Sequence, residues 1–252
     1  MTKQHALLEI CVDSLTSAKA AENGGAHRLE VCAELTVGGL TPSVGLLSEI
    51  RECIDLPLHV LIRPRSGNFL YSEEELNVME RDIAWAQNAG AQGVVLGALG
   101  AQREIDREQT ARLAEAAHPL DVTFHRAFDF TPEPMQALDT LISLGVGRLL
   151  TSGGCPSVPE GLQALAQMIA TANEQLIVMP GGGIRSGDVA RILNSTGARE
   201  LHASARTLKA ARKTSHDSGA RLDSADFESG PHGIADENEV RKIITAIHSR
   251  CD

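Results

Sequence analysis

The stretch ALLEICVDSLTSAKAAENGGAHRLEVC, residues 6–32, holds one complete strand–helix–strand unit. Two short apolar runs, at 6–11 and 28–32, flank an amphipathic segment at 14–21 whose apolar residues recur with helical spacing. A glycine pair at 24–25 follows this segment, where helices commonly end on a residue in the left-handed conformation. Strands that alternate with helices in this way pair in parallel, so the stretch predicts a βαβ unit.

The same alternation continues along the rest of the chain. Eight such units without a large insertion favour closure into a barrel over an open doubly wound sheet, which is the alternative. We therefore expect an α/β fold, a single (β/α)8 TIM barrel that occupies residues 1–252 as one domain. The candidate strands lie at 6–11, 28–32, 58–62, 93–96, 121–124, 148–150, 176–179 and 200–203, and the candidate helices at 14–21, 44–54, 73–89, 107–116, 133–144, 159–171 and 186–193.

One segment breaks the rhythm after the eighth strand. Residues 205–235 are polar, rich in Ser, Asp and Lys, and poor in apolar side chains. Long insertions of this kind are commonly functional lids or disordered loops. We expect a polar arm over the barrel mouth, with a solvated loop as the alternative, and a final helix at 237–248.

Composition excludes several classes of protein. The formal net charge of −10 argues against nucleic acid as the main partner, since binding to a phosphate backbone needs clustered Lys and Arg. No apolar run approaches the ~20 residues of a membrane span, and the start MTKQHALLEI has no signal-peptide pattern, so we expect a cytoplasmic protein. The five cysteines include no CxxC pair, which disfavours a disulfide framework or a zinc knuckle.

Polar residues occupy strand positions that normally hold aliphatic ones. Alternate residues of a barrel strand point inward, and burying an unpaired charge there costs several kcal/mol, so these groups must compensate one another. A structural ion-pair network is one interpretation, and it suits Glu9, Glu30 and Glu200 best. Catalysis is the other, because barrel active sites lie at the carboxyl ends of the strands. The candidate catalytic residues are Glu9, Glu30, Arg63, His125, Arg126, Asp129, Glu200 and His202. We expect seven of them to converge on one cavity: Glu9, Glu30, Arg63, His125, Arg126, Glu200 and His202.

Two turns have the sequence pattern of anion-binding loops. A triple-glycine turn at 181–183 follows the seventh strand and precedes a helix, and in many barrels this turn and the end of strand eight bind phosphate. The polar turn at 151–154 extends the same edge. An ordinary tight βα turn is the alternative. The candidate anion-binding residues are Ser152, Gly182, Gly183 and Ser204.

Several motifs together resemble the CutC family over residues 5–206. The resemblance implies a (β/α)8 barrel, a cytoplasmic location and an association with copper homeostasis. The chain departs from the family at Ser66 and Asn68, where Gly and Asp are usual, and at Leu70, where some members have Cys; residues 208–235 match poorly. The motifs are LEICVDS (8–14), RLEVCA (28–33), GGLTPSVG (38–45), IRPRSGNFLYS (62–72), TFHRAFD (123–129), LTSGG (150–154) and ELHASAR (200–206).

Copper directs attention to two of the cysteines. Cys11 and Cys32 end adjacent strands with the same inward parity, and neighbouring strands lie about 4.8 Å apart. Cu(I) prefers soft thiolates, so the pair is the candidate metal site, with two inert buried thiols as the alternative. Cys53 is expected in the core, and Cys155 and Cys251 are expected to play no part.

Three functions remain open at this level. The first is copper homeostasis with Cu(I) binding. The second is an enzyme acting on a small anionic substrate that bears phosphate or carboxylate, in which Arg63 and Arg126 hold the anion and His125 or His202 serves as general acid or base. The third is a non-catalytic ligand sensor, which differs from the second only in turnover. We place copper homeostasis first, expect a small anion or a copper ion as partner, and expect a homo-oligomer. A divalent metal on Glu9, Glu30 and His125 also remains open.

Overall fold

The computed structural model describes residues 6–209 and 232–249. Eight parallel strands pair in the order β7-β6-β5-β4-β3-β2-β1-β8, and a parallel bridge between Gly181 and His202 joins the two outer strands. The predicted (β/α)8 barrel is therefore confirmed. The strands are β1 Leu7–Val12, β2 Arg28–Val31, β3 Leu58–Leu61, β4 Gly93–Leu96, β5 Asp121–Phe124, β6 Arg148–Thr151, β7 Ile177–Pro180 and β8 Glu200–Ala203.

Helices follow the strands and cover the outside of the barrel. Ser72 and Glu75 form the reciprocal capping box that begins α3, and Asp106 accepts the Gln109 N–H at the start of α4. The helix after β7 begins at Val189, later than the predicted 186, because a short 3-10 turn at Ser186–Asp188 precedes it. The helices are α1 Leu15–Asn23, α2 Val44–Cys53, α3 Glu73–Asn88, α4 Arg107–Ala117, α5 Pro134–Ser143, α6 Leu162–Ala172, α7 Val189–Thr196 and α8 Glu237–His248.

The two faces of each strand carry different chemistry. Leu8, Ile10, Leu29 and Val31 are fully buried and belong to the apolar core that packs against the helices. The residues between them point into the barrel, where polar side chains such as Glu9 are also buried. The period of two along the strands thus separates an aliphatic layer outside the sheet from a polar interior.

The polar segment after β8 begins and ends in a strand. Its two ends form an antiparallel pair, β9 Arg206–Lys209 with β10 His232–Ala235, in which Arg206 lies opposite Ala235. The Arg206 guanidinium donates to the Gly233 carbonyl (2.9 Å) and to Asp13 (3.2 Å), which ties this pair to the end of β1. The rest of the predicted arm, 210–231, lies outside the described residues, and the predicted final helix is α8.

A helix that crosses a bilayer must be both long and apolar. Within residues 6–209 and 232–249, no helix has both the length and the apolar character needed to cross a bilayer.

Candidate functional site

A buried ion-pair network fills the amino-terminal half of the barrel interior. Arg28 donates from Nε to Glu9 (2.5 Å) and from NH2 to Glu200 (2.6 Å). Arg148 donates from Nε to the same Glu200 oxygen (2.7 Å). All four side chains are buried. Two carboxylates and two guanidiniums therefore compensate one another, as charges in a low-dielectric interior must.

This network corrects one predicted site residue. Glu200 is the first residue of β8, and its partners Arg28 and Arg148 are the first residues of their own strands, so the cluster lies away from the carboxyl ends. Glu200 does not line the pocket described below. Sequence reasoning missed both arginines, although Arg28 lies two residues before Glu30 and shares its inward parity.

His202 joins the network to the pocket above it. Its Nδ1 lies 2.7 Å from Glu9 Oε1 and 3.8 Å from Glu30 Oε2. Burial alone would lower the pKa of His202, but its interactions with Cys11, Glu30 and Glu9 raise it well above its ordinary value. Burial would likewise raise the pKa of Glu9, yet Arg28 and His202 hold it well below the usual range. The Glu9–His202 pair is therefore a buried carboxylate with a charged imidazolium.

Glu30 has a different environment from Glu9. Burial raises its pKa to about 7; the charge of His202 opposes this shift and that of Glu9 adds to it. Its Oε2 is buried and has no hydrogen-bond partner within the described part of the chain. Glu9, Glu30 and His202 also bring ligand atoms within 4.8 Å of one another, an arrangement that can hold a cation. His125 is not in this group, so the predicted set of Glu9, Glu30 and His125 is not assembled.

A pocket of about 380 Å³ opens at the carboxyl ends of the strands, where the sequence placed it. It does not include Glu9, Asp129, Glu200, Ser152 or Cys32, so the predicted convergence on one cavity is wrong for Glu9 and Glu200. Nine predicted site residues line it: Cys11, Glu30, Arg63, His125, Arg126, Gly182, Gly183, His202 and Ser204.

Arg126 is held in place from behind by two other predicted residues. Its Nε donates to Asp129 (2.7 Å) and its NH2 donates to Ser152 Oγ (2.9 Å). Asp129 also accepts the backbone N–H groups of Ser152 and Gly154, each at 3.1 Å. Asp129 and Ser152 therefore position the guanidinium against the glycine turn, where a Cβ on Gly182 would lie 3.1 Å from Arg126 Cζ.

Arg63 lines the pocket, and its NH1 and NH2 groups are engaged by backbone carbonyls, while its buried Nε has no hydrogen-bond partner among the described residues. NH1 donates to the carbonyls of Val37 (2.8 Å) and Gly39 (3.0 Å), and NH2 donates to that of Gly67 (3.0 Å). The guanidinium also lies 4.9 Å from the Phe69 ring centre. Arg63 therefore joins the loops after β2 and β3, and its role in holding an anion stays a prediction.

His125 is a neutral imidazole in this structure. Its Nδ1 accepts the Ala127 N–H (3.2 Å), which leaves the ring proton on Nε2. Burial, followed by the charge of Arg63, lowers its pKa to about 3. Nε2 is buried and has no partner among the described residues. The structure thus presents His125 as a hydrogen-bond donor rather than as the acid or base that the sequence suggested.

The glycine turn is formed as predicted, but the helix start that follows it is occupied. Gly182 and Gly183 have φ values of 125° and 75°, which side-chain-bearing residues rarely adopt. Three residues later, the Ser186 N–H donates to Glu239 Oε1 (2.9 Å) and its hydroxyl to Glu239 Oε2 (3.2 Å). The Glu239 carboxylate of α8 therefore occupies the backbone and hydroxyl donors of Ser186 at this helix start.

The two candidate thiols differ in access. Cys11 lines the pocket together with His202. The strand register places Cys11 opposite Glu30 rather than opposite Cys32. Cys32 is fully buried, and its thiol donates to the Val12 carbonyl (3.5 Å). Burial strongly raises the pKa of Cys32. Cys53 is exposed rather than in the core.

Sequence reasoning missed an aromatic wall. Phe69 and Phe130 line the pocket with ring centres 6.0 Å apart, and Phe69 lies 4.9 Å from the His125 ring. Phe130 is 56% exposed. The one available signal was scarcity, because the chain has five phenylalanines and these two follow strand ends.

Known proteins match both the sequence and the fold. The sequence model described as the CutC family matches residues 6–207. A human protein named copper homeostasis protein cutC homolog is 46% identical over 241 residues, 94% of this chain and 87% of that protein. A family protein CutC of Xylella fastidiosa is 46% identical over 242 residues, with the same coverage of 94% and 87%.

Solved structures agree with this assignment. The crystal structure titled putative copper homeostasis protein CutC, from Streptococcus agalactiae, has a TM-score of 0.76 and 32% identity; the match covers 79% of this chain and 98% of that one. Thiamine phosphate pyrophosphorylase from Pyrococcus furiosus has a TM-score of 0.60 at 14% identity, over 97% of this chain and 96% of that one, and shares the fold alone.

Proposed function

This chain belongs to the CutC family, and from that membership we propose that it takes part in copper homeostasis and binds Cu(I) in the pocket. The observation that carries the copper step is the Cys11 thiol, which faces the pocket beside His202 while Cys32 lies behind it. Cu(I) favours thiolate and imidazole ligands. A two-thiol site requires the Cys32 thiol to leave the Val12 carbonyl and lose its proton.

A competition titration with a Cu(I) chelator under reducing conditions tests this proposal. We expect Cys11→Ser to weaken Cu(I) binding most and Cys32→Ser to weaken it if both thiols are ligands. Cys53→Ser is the matched control, because Cys53 is exposed on α2 and outside the pocket. Equal affinity for Cu(I) in the wild type and the Cys11→Ser/Cys32→Ser double variant would contradict the proposed copper site.

A second candidate function is an enzyme that acts on a small anionic substrate in the same pocket. Its support is the Arg126 guanidinium, which Asp129 and Ser152 hold beside Gly182 before any ligand arrives. Preorganised donors of this kind stabilise charge without reorganisation. For this function we propose that His202, which Glu9 orients, transfers the proton.

Anion binding can be separated from copper binding by the residues it needs. We expect acetate and inorganic phosphate, titrated calorimetrically, to show which anion class binds, and we expect Arg126→Met to abolish that binding. Cys11→Ser should leave anion affinity unchanged. Binding that survives Arg126→Met would contradict this function.

We propose two further properties of the protein, its location and its oligomeric state. We propose a cytoplasmic location, consistent with four free cysteines in the described ranges, Cys11, Cys32, Cys53 and Cys155. We propose a homo-oligomer, for which the exposed apolar side chains of Val44 and Val78 on α2 and α3 offer a contact surface. Sedimentation analysis of the purified protein tests the second, and cell fractionation tests the first.

A further inference from the structure

We propose that the pocket binds a small monocarboxylate with an apolar body, whose carboxylate is held by Arg126 and His125 and whose body lies against Phe69 and Phe130. This inference rests on the second candidate function, binding of a small anion, and names the class of anion.

His125 supplies a donor that lacks a partner. His125 lines the pocket, and only 6% of its surface is exposed. Nδ1 is occupied by the Ala127 N–H, so the proton lies on Nε2 at the opposite edge of the ring. No described residue accepts from that Nε2. A buried donor left unpaired is costly, and an acceptor oxygen of a ligand would satisfy it.

Only one positive charge around this donor lacks a carboxylate partner among the described residues. Arg126 is ion-paired to Asp129 and the imidazolium of His202 to Glu9, whereas the NH groups of Arg63 donate to neutral backbone carbonyls. His125 itself is neutral, because burial lowers its pKa to about 3. One free edge of a guanidinium and one neutral donor match a planar monoanion better than a dianion.

One helix start that could bind a dianion is occupied. Barrels of this kind commonly bind phosphate at the loops after β7 and β8, together with a helix N-terminus. Here the Ser186 N–H and hydroxyl both donate to the Glu239 carboxylate of α8. A phosphate next to Ser186 would face that negative charge. The structure therefore leaves the Arg126 side of the turn for the anion.

The remaining wall of the pocket is apolar. Phe130 is 56% and Val37 44% exposed, both at the pocket, and Phe69 lies between Phe130 and His125. Large apolar side chains gathered at a cavity mouth mark ligand-binding surfaces. The aromatic wall lies directly beside the donor pair, so one ligand can contact both with a short spacer between its carboxylate and its apolar body.

Calorimetric titration with 3-phenylpropanoate tests the inference. Three comparators test separate features of this ligand. Acetate lacks the apolar body, 3-phenylpropanamide lacks the negative charge, and 2-phenylethylphosphonate can carry a second negative charge. We expect 3-phenylpropanoate to bind more tightly than each comparator. Arg126→Met should weaken its binding about tenfold to a hundredfold, and His125→Leu about tenfold.

Two further variants keep the test independent of folding. Phe130→Ala, at an exposed position, should weaken 3-phenylpropanoate several-fold while acetate binding stays unchanged. Arg199→Met, which removes an exposed ion pair with Glu174, is the control and should change nothing.

The comparators also separate this inference from the function on which it rests. Equal binding of the amide, or equal binding of acetate, overturns the inference. Tighter binding of the phosphonate that still depends on Arg126 also overturns it, while the anion-binding function stands. If none of the anions binds the wild-type protein, both fail.

Discussion

The lower and upper halves of the barrel interior differ in how their polar groups are paired. In the lower half, Arg28 and Arg148 meet Glu9 and Glu200 in short ion pairs. In the pocket above, Glu30 Oε2, Arg63 Nε and His125 Nε2 are buried without partners in the described part of the chain, and in the lower half His59 Nδ1, 3.8 Å from Glu9, is likewise unpartnered. Buried polar groups are normally satisfied, so a ligand can supply a missing partner. The ion pairs of the lower half stabilise the barrel, and the unpaired groups at the pocket support a binding role for the upper half.

The largest effect is expected from breaking the lower network. Arg28→Met leaves Glu9 and Glu200 without their shared partner, and removing one member of a buried ion pair costs about 3–5 kcal/mol. The free energy of unfolding from urea titration at pH 7 measures it. Arg126→Met in the pocket is the comparison, and a similar loss there would erase the difference between the two halves.

The second largest effect is a pH dependence of stability that comes from Glu30, which lies at the boundary between the two halves. The pKa of Glu30 is about 7 in the folded protein, raised from 4.5, so the folded chain retains a proton that the unfolded chain has lost between these values. The contribution of Glu30 to the free energy of unfolding is therefore complete below pH 4.5. It falls as pH rises towards 7, by at most about 1.4 kcal/mol per pH unit.

Glu30→Gln removes this dependence. We expect the difference in unfolding free energy, wild type minus variant, to fall steadily as pH rises from 4.5 to 7. Urea titrations at several pH values measure it, with Glu52→Gln as an exposed control on α2 that stays flat. A difference that rises with pH would show that Glu30 is ionised in the folded protein.

The smallest effect concerns the residue that positions Arg126. Asp129→Ala orphans the N–H groups of Ser152 and Gly154 and should cost about 1–3 kcal/mol of stability. It should also weaken anion binding, because Arg126 loses its anchor. Asp188→Ala is the matched control, since Asp188 and Arg191 form a more exposed pair at the same spacing. Equal losses in both variants would remove the positioning role of Asp129.

Much of the architecture could be read from the sequence. Strands 93–96, 121–124 and 200–203 were predicted with the observed bounds, and the final helix as well. These elements follow from local patterns, namely apolar runs of four residues and helical spacing bounded by glycines or caps. The pocket's place at the carboxyl ends followed from the fold class, and nine of the predicted residues line it.

The sequence by itself determined the barrel and the inward parity of its polar residues, because both depend on spacing within single elements. Tertiary structure alone decided which of those residues are satisfied. Arg28 reaches Glu200 from 172 positions away, and Glu239 of α8 reaches Ser186. Such partners depend on strand stagger and on helix packing across the barrel, which no local pattern records. For that reason parity assigns Arg63 and Glu200 alike to the site, while their surroundings place Glu200 in the ion-pair network and Arg63 at the pocket wall.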